Sequence, residues 1–113
     1  MVVYEEFTDD DVDRLFRALA DRTRRDIVAR TLLSDVCVSD LARRYDMSFA
    51  AVQKHVAVLA EAGLVTKHVR GRERLVRADV DVIRRAQHLL DHFEDLWRGR
   101  VDRLDALLAE ENP

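Results

Sequence analysis

Between Val38 and Arg77 the chain sets out two short apolar-periodic segments, a tight turn between them, and a basic hairpin. Few folds accommodate that order. Leu41, Ala42 and Tyr45 share one face of a first helix, expected over about Ser39 to Tyr45. Asp46-Met47 supplies the turn, and Ser48 opens a second helix whose inward side is Val52, Val56 and Leu59. Gly63 stops that helix. Leu64-Val65 then begins an extended segment that turns back at Arg70-Gly71-Arg72. Helix, turn, helix and wing is the layout that places a second helix in the DNA major groove. It predicts a helix-turn-helix over about 38–62 and a wing over about 64–77.

The elements on either side read as helices. Thr8 caps an acidic first turn, Asp9-Asp10-Asp11, that suits the positive end of a helix dipole. Val12, Leu15, Phe16 and Leu19 follow at amphipathic spacing. Asp21 caps a second helix, about Arg22 to Leu33, with Ile27, Val28 and Leu32 inward, and Ser34-Asp35 breaks it. The strands flanking Gly71, about Val65 to Val69 and Arg74 to Arg77, are the only β structure expected. Asp79 or Asp81 caps a long last helix, about 80–109, with Gly99 as its weak point. Along it Ile83, Ala86, Leu90, Phe93, Trp97, Val101, Leu104 and Leu108 step by three or four. A stripe of that length exceeds what a small core covers and predicts packing against a partner chain. The fold expected is one mainly α domain over 1–113, a winged helix-turn-helix with a small hairpin.

Composition agrees with this. The chain has 113 residues, 48% hydrophobic and 36% charged, with one Pro and three Gly. A core this small is often supplemented by oligomerisation. The single cysteine, Cys37, allows no internal disulfide and fits a reducing cytoplasm. Met1-Val2-Val3-Tyr4-Glu5-Glu6 lacks the basic start and apolar run of a signal peptide. No run approaches the ~18 apolar residues of a membrane span. A cytoplasmic protein without membrane contact is expected.

A net charge of −3 looks wrong for a nucleic-acid partner, but its distribution resolves this. Residues 1–40 carry 6 Lys/Arg and 10 Asp/Glu, and residues 78–113 carry 5 and 9, a net of −4 in each. Residues 41–77 carry 8 and 3, a net of +5. The positive charge therefore falls on the helix-turn-helix and wing, where phosphates would lie.

With Val52, Val56 and Leu59 inward, the outer face of the second helix holds Phe49, Ala50, Gln53, Lys54 and Ala57. Gln53 suits bidentate bonding to adenine, and Phe49 and Ala50 suit thymine methyls. Ser48 and Lys54 suit phosphates, with His55 at the helix edge. Arg70, Arg72 and Arg74 at the wing tip suit a narrow minor groove or flanking phosphates. Glu73 is like-signed with phosphate and is expected to pair with an arginine. The bland alternative is that these are ordinary solvated residues.

Leu15-Phe16-Arg17-Ala18-Leu19-Ala20-Asp21-Arg22-Thr23-Arg24-Arg25 resembles the opening of ArsR-type winged-helix repressors. Val38-Ser39-Asp40-Leu41-Ala42, Met47-Ser48, Val52-Gln53-Lys54-His55 and Leu59-Ala60-Glu61-Ala62-Gly63-Leu64-Val65 are also similar to that family. The resemblance covers about residues 12 to 105. Arg22 departs from its usual proline. Asp46 stands where a glycine is usual, and Asp tolerates a left-handed backbone. The resemblance implies a homodimer formed by the first and last helices, with Leu15, Phe16, Leu90, Phe93, Trp97, Val101 and Leu104 at the interface. It also implies an inverted-repeat operator on double-stranded DNA.

Metal sensing is a further property of the family. One site type carries Cys-Val-Cys-Asp-Leu where this chain has Cys37-Val38-Ser39-Asp40-Leu41. One thiolate is left where soft-metal sites take two or three, so Cys37 is expected to pack as a small hydrophobe. A second type, on the last helix, corresponds to Asp79-Val80-Asp81, ten residues, then His92-Phe93-Glu94-Asp95. An aspartate replaces its first histidine, which makes a poor zinc site. His88 and His92 at i, i+4 are a weaker alternative.

No metal, cofactor or enzymatic activity is expected, and any inducer is unknown. A dimeric transcriptional repressor is the expectation. A metal-responsive repressor, or a winged helix used only for protein contacts, are the alternatives.

Overall fold

The computed structural model describes residues 7–111, so Met1–Glu6, read above as no signal peptide, lies outside the described residues. The elements are α1 (Asp9–Leu19), α2 (Arg22–Leu33), β1 (Val36–Cys37), α3 (Val38–Arg43), α4 (Phe49–Glu61), β2 (Val65–Arg70), β3 (Glu73–Ala78) and α5 (Val80–Glu111). The chain divides into two compact units, one through Ile83 and one from Arg84 onward.

Helix starts follow the capping side chains. Thr8 and Asp11 form a reciprocal capping box, Oγ1 accepting from Asp11 N–H at 3.1 Å and Asp11 Oδ2 from Thr8 N–H at 3.0 Å. Asp21 accepts from Arg24 N–H at 3.0 Å, and Ser48 from Ala51 N–H at 3.1 Å. Each bond satisfies a backbone donor that has no partner within its own helix.

The core of the first unit takes residues from every long element of it. Leu15 and Ala18 come from α1, Ile27 and Val28 from α2, Leu41 from α3, and Val52, Val56 and Leu59 from α4. Leu64, Val65 and Val76 close it beside the sheet. Thr31, the one buried polar residue among those described, donates its hydroxyl proton back to the Ile27 carbonyl at 2.8 Å. Leu15 corrects an expectation. It is fully buried in the chain's own core and has no surface left for a partner, whereas Phe16 beside it stays exposed.

The α3–α4 connection is longer than expected, running from Arg44 to Ser48. Helix α3 ends at Arg43, and Arg44 N–H bonds to the Leu41 carbonyl at 3.0 Å, an i to i−3 bond. Tyr45 is left outside the helix, where its hydroxyl donates to Asp26 Oδ2 at 2.6 Å. No residue other than glycine has positive φ among those described, so Asp46 does not adopt the left-handed backbone.

The end of α4 is a Schellman motif. Leu64 N–H reaches the Leu59 carbonyl at 2.9 Å, and Gly63 N–H reaches that of Ala60 at 3.0 Å. This needs the φ of +77° at Gly63, where a Cβ would also stand 3.3 Å from Val82 Cγ2. The hairpin register pairs Val65 with Ala78 through to Arg70 with Glu73, leaving Gly71-Arg72 as a two-residue loop. Positive φ at Gly71 (+64°) but not at Arg72 fits a type II′ turn.

The sheet has three strands in the order β1-β3-β2, all antiparallel, so the hairpin is not the only β structure. Val36 and Cys37 pair with Val76 and Leu75. Two residues are too few to show a strand period in sequence, and it is the distant β3 that makes them a strand.

Helix α5 follows Asp79, whose Oδ1 accepts from Asp81 N–H at 2.9 Å and whose own N–H bonds to the Leu64 carbonyl at 2.9 Å. The helix runs unbroken through Gly99. In the second unit none of its side chains is buried: Leu90, Phe93, Leu96, Trp97, Leu104, Leu107 and Leu108 are all about half exposed or more, and Val101 is half-buried. Among the described residues no helix is long and apolar enough to cross a membrane.

Candidate nucleic-acid interface

The periodicity of α4 divides it in two. Val52, Val56 and Leu59 face the core with at most 1% of their surface accessible. The other side leaves Phe49, Ala50, Gln53 and Lys54 exposed, with Ala57 half-buried between them. Ser48 is exposed, but its hydroxyl is used in the cap. On the hairpin Arg70, Arg72 and Arg74 are all exposed.

These two sets meet. A cavity of ≈ 490 Å³ lies between α3, α4 and the wing, with Phe49, Gln53, Arg72 and Arg74 in its lining. Arg43 from α3 and Lys67 from β2 line it as well. Sequence reasoning counted these two cations only as part of the +5 zone. Their placement depends on how α3 and β2 approach α4, and no local pattern carries that. Lys54 and Arg70 are exposed but not part of this lining.

Glu73 also lines the cavity and forms no ion pair among the described residues, contrary to the arginine pairing expected for it. With Asp40 it sets two carboxylates against the four cations of this groove. The groove therefore favours an anion while excluding it from part of the wall.

His55 corrects a second expectation. It lies between the core positions Val52 and Val56 on the helix, and its ring is turned toward α2 instead of the open face. Its Nδ1 lies 3.3 Å from Arg24 Nη1 and 4.0 Å from Asp21 Oδ1, with the side chain 21% exposed.

In the lining of the groove Cys37 Sγ lies 3.1 Å from Ser39 Oγ. The hydroxyl and backbone N–H of Ser39 hold the thiol below its usual range. Among the described residues no three of His, Cys, Asp or Glu converge as a metal site.

The arrangement is an exposed helix face with a hydrogen-bonding amide at its centre, flanked by exposed cations. It can offer base-edge contacts and phosphate contacts together.

Comparison with known proteins agrees. Residues 21–67 match the family described as "Bacterial regulatory protein, arsR family". The arsenical resistance operon repressor of Escherichia coli (strain K12) is 31% identical over 103 residues, 88% of this chain and 86% of the relative. The HTH-type transcriptional regulator Rv2034 of Mycobacterium tuberculosis (strain ATCC 25618 / H37Rv) is 38% identical over 81 residues, 72% of this chain and 76% of that protein. The solved ArsR-like transcriptional regulator from Rhodococcus sp. RHA1 superposes with a TM-score of 0.79 at 28% identity, over 89% of this chain and 93% of that one. On its fold, its helix-and-wing groove and these relatives, the chain belongs to the arsR family of bacterial regulatory proteins, DNA-binding transcription regulators that are not enzymes.

Proposed function

We propose that the protein is a homodimeric repressor that reads an inverted-repeat operator with α4 and grips the flanking backbone with the wing. The observation that carries this is the meeting of Gln53 and Phe49 with Arg43, Lys67, Arg72 and Arg74 around one groove. Gln53 reads adenine, and Phe49 and Ala50 rest on thymine methyls. Lys54, Ser48 and the wing arginines, Arg70 included, hold phosphates.

Dimerisation is supported by α5. Leu90, Phe93, Trp97 and Leu104 are too large and too exposed for a helix meant to face water alone, and Val101 continues their line. On α1, Phe16 is exposed and available to a partner chain, but Leu15 is not. Two reading heads then enter successive major grooves roughly 34 Å apart.

Repression is the role that the E. coli relative's name carries, and we extend it to this chain. The arsenical link in that name is not extended, because Ser39 leaves Cys37 as the one thiolate of that segment. The protein works in the cytoplasm, with no resident cofactor and no membrane partner.

The test is selection of duplexes from a random pool, then binding of the winner at about 50 and 200 mM salt. A dimer contacting six or more phosphates loses about 10³-fold or more in affinity over that range. A winged helix used only for protein contacts selects no duplex and shows no such slope.

A further inference from the structure

We infer that Arg24 is a positioning residue for DNA reading: its guanidinium joins the end of α1 to the recognition helix α4 through His55. This rests on the function proposed above.

Arg24 lies in the first turn of α2 and touches both neighbours. Nε donates to the Ala18 carbonyl at 2.7 Å, and Nη2 to the Arg17 carbonyl at 2.9 Å. Both carbonyls belong to the last turn of α1, where the dipole favours a cation; that of Arg17 also accepts from the Ala20 N–H at 3.2 Å. Arg25 adds a parallel bond, Nη1 to the Leu19 carbonyl at 2.8 Å. The remaining Arg24 nitrogen, Nη1, lies 3.3 Å from His55 Nδ1.

A guanidinium only donates, so this last contact is a hydrogen bond when Nδ1 is the bare acceptor and the ring proton sits on Nε2. The alternative, Nδ1–H directed at Asp21, is less favoured by distance. Asp21 Oδ1 is 4.0 Å from Nδ1 and already accepts from Arg24 N–H at 3.0 Å.

His55 stands one residue after Lys54 and two after Gln53, on the buried flank of the same helix. Fixing its ring fixes the rotation of α4 about its axis, and with it the direction in which Gln53 points. A shift at α1, the helix proposed to meet the partner chain, therefore reaches the reading face through this polar link in addition to the direct packing of α1 on α4. Productive base contacts tolerate about 0.5 Å and 10–20° of misplacement, so loosening this clasp affects DNA binding before it affects the fold.

A double-mutant cycle on the wild-type selected duplex tests this, with thermal melting of each variant as the folding control. Arg24→Gln and His55→Leu are each expected to weaken binding about tenfold, and the double variant about tenfold again in total, because both break one link. His55→Gln, which restores a neutral acceptor, should bind within about threefold of wild type. If Arg24→Gln fails to fold, Arg24→Lys replaces it, since one ammonium cannot span both α1 carbonyls and His55. Additive losses, or full binding by His55→Leu, overturn the inference. Ring ¹⁵N NMR of the DNA-free protein gives a separate reading: the Nε2–H tautomer supports the clasp, and Nδ1–H overturns it. Failure of the wild type to select any duplex overturns the proposed function and Arg24's role in it, an outcome distinct from additivity.

Discussion

Arg77 closes on Asp35 with two hydrogen bonds, Nε to Oδ1 at 2.9 Å and Nη2 to Oδ2 at 2.7 Å. The pair ties β3 to the residue just before β1, beside the short Val36–Val76 pairing. Charge counting placed Arg77 in the basic zone and Asp35 in the acidic one, yet here they serve each other. Arg77→Ala should therefore lower the Tm and leave the salt slope of duplex binding unchanged. Arg72→Ala should do the reverse, reducing the slope by about one phosphate without altering the Tm. Titrating both variants with duplex over a salt series checks this, and an equal loss of slope would place Arg77 on the DNA.

A second polar link joins α2 to the turn of the reading motif. Asp26 accepts from Tyr45 at 2.6 Å and from Arg30 Nε at 2.8 Å. These bonds, Tyr45's first, hold the Asp26 carboxyl below its usual range. Burial and the neighbouring carboxylate push Tyr45 up to about 12. Tyr45→Phe should cost about 1 kcal/mol in urea unfolding and let the Asp26 carboxyl rise toward its ordinary value, read by NMR titration. An unmoved Asp26 would refute the link.

The same chemistry sets the acid limit. Asp21, Asp26 and Asp35 are all held low, by the Arg24 N–H, the Tyr45 hydroxyl and the Arg77 guanidinium respectively. Carboxyls depressed in the folded state stabilise it fully above the unfolded value of about 3.9. That contribution disappears as pH falls through their folded values. The Tm should thus fall below about pH 4, and Asp35→Asn should flatten part of that fall.

What the sequence carried was local. Caps at Thr8, Asp21 and Ser48, the stop at Gly63 and the 3.6-residue period of α4 each depend on neighbours within one or two turns, and all are legible in it. The exposed face of α4 follows from the same period. What depended on distant partners was not legible. Strand β1 exists because Val76 and Leu75 lie beside it. Leu15 is core because α2 and α4 cover it, although its spacing along α1 is the same as that of an interface residue. His55 is turned inward because Arg24 and Asp21 wait there, and Arg43 and Lys67 reach the groove only through packing.

The exposed face of α4 gives a contrast between two neighbours. Gln53 lines the groove and Lys54, though exposed, does not. Gln53→Ala should cost about 1–3 kcal/mol on the preferred duplex and relax preference at one position of each half-site. Lys54→Ala should weaken all duplexes alike and reduce the salt slope by about one. Repeating the selection with each variant distinguishes the two. If the double variant keeps wild-type affinity and preference, another face of α4 reads the DNA.

Trp97 tests the proposed interface. It is 58% exposed on α5, one turn from Phe93 and one from Val101, and Arg100 lies over its ring at 5.8 Å. A stripe that extends from Leu90 to Leu108 without one buried side chain needs a partner surface to remove it from water. Trp97→Asp sets a carboxylate in the middle of that surface, where pairing two copies would bury two unpaired charges. The variant should sediment as a monomer, retain the helical circular dichroism of the first unit, and lose affinity for the two-half-site duplex far more than for a single half-site. A folded Trp97→Asp dimer would move the interface off this stripe, and equal losses on both duplexes would detach dimerisation from DNA reading.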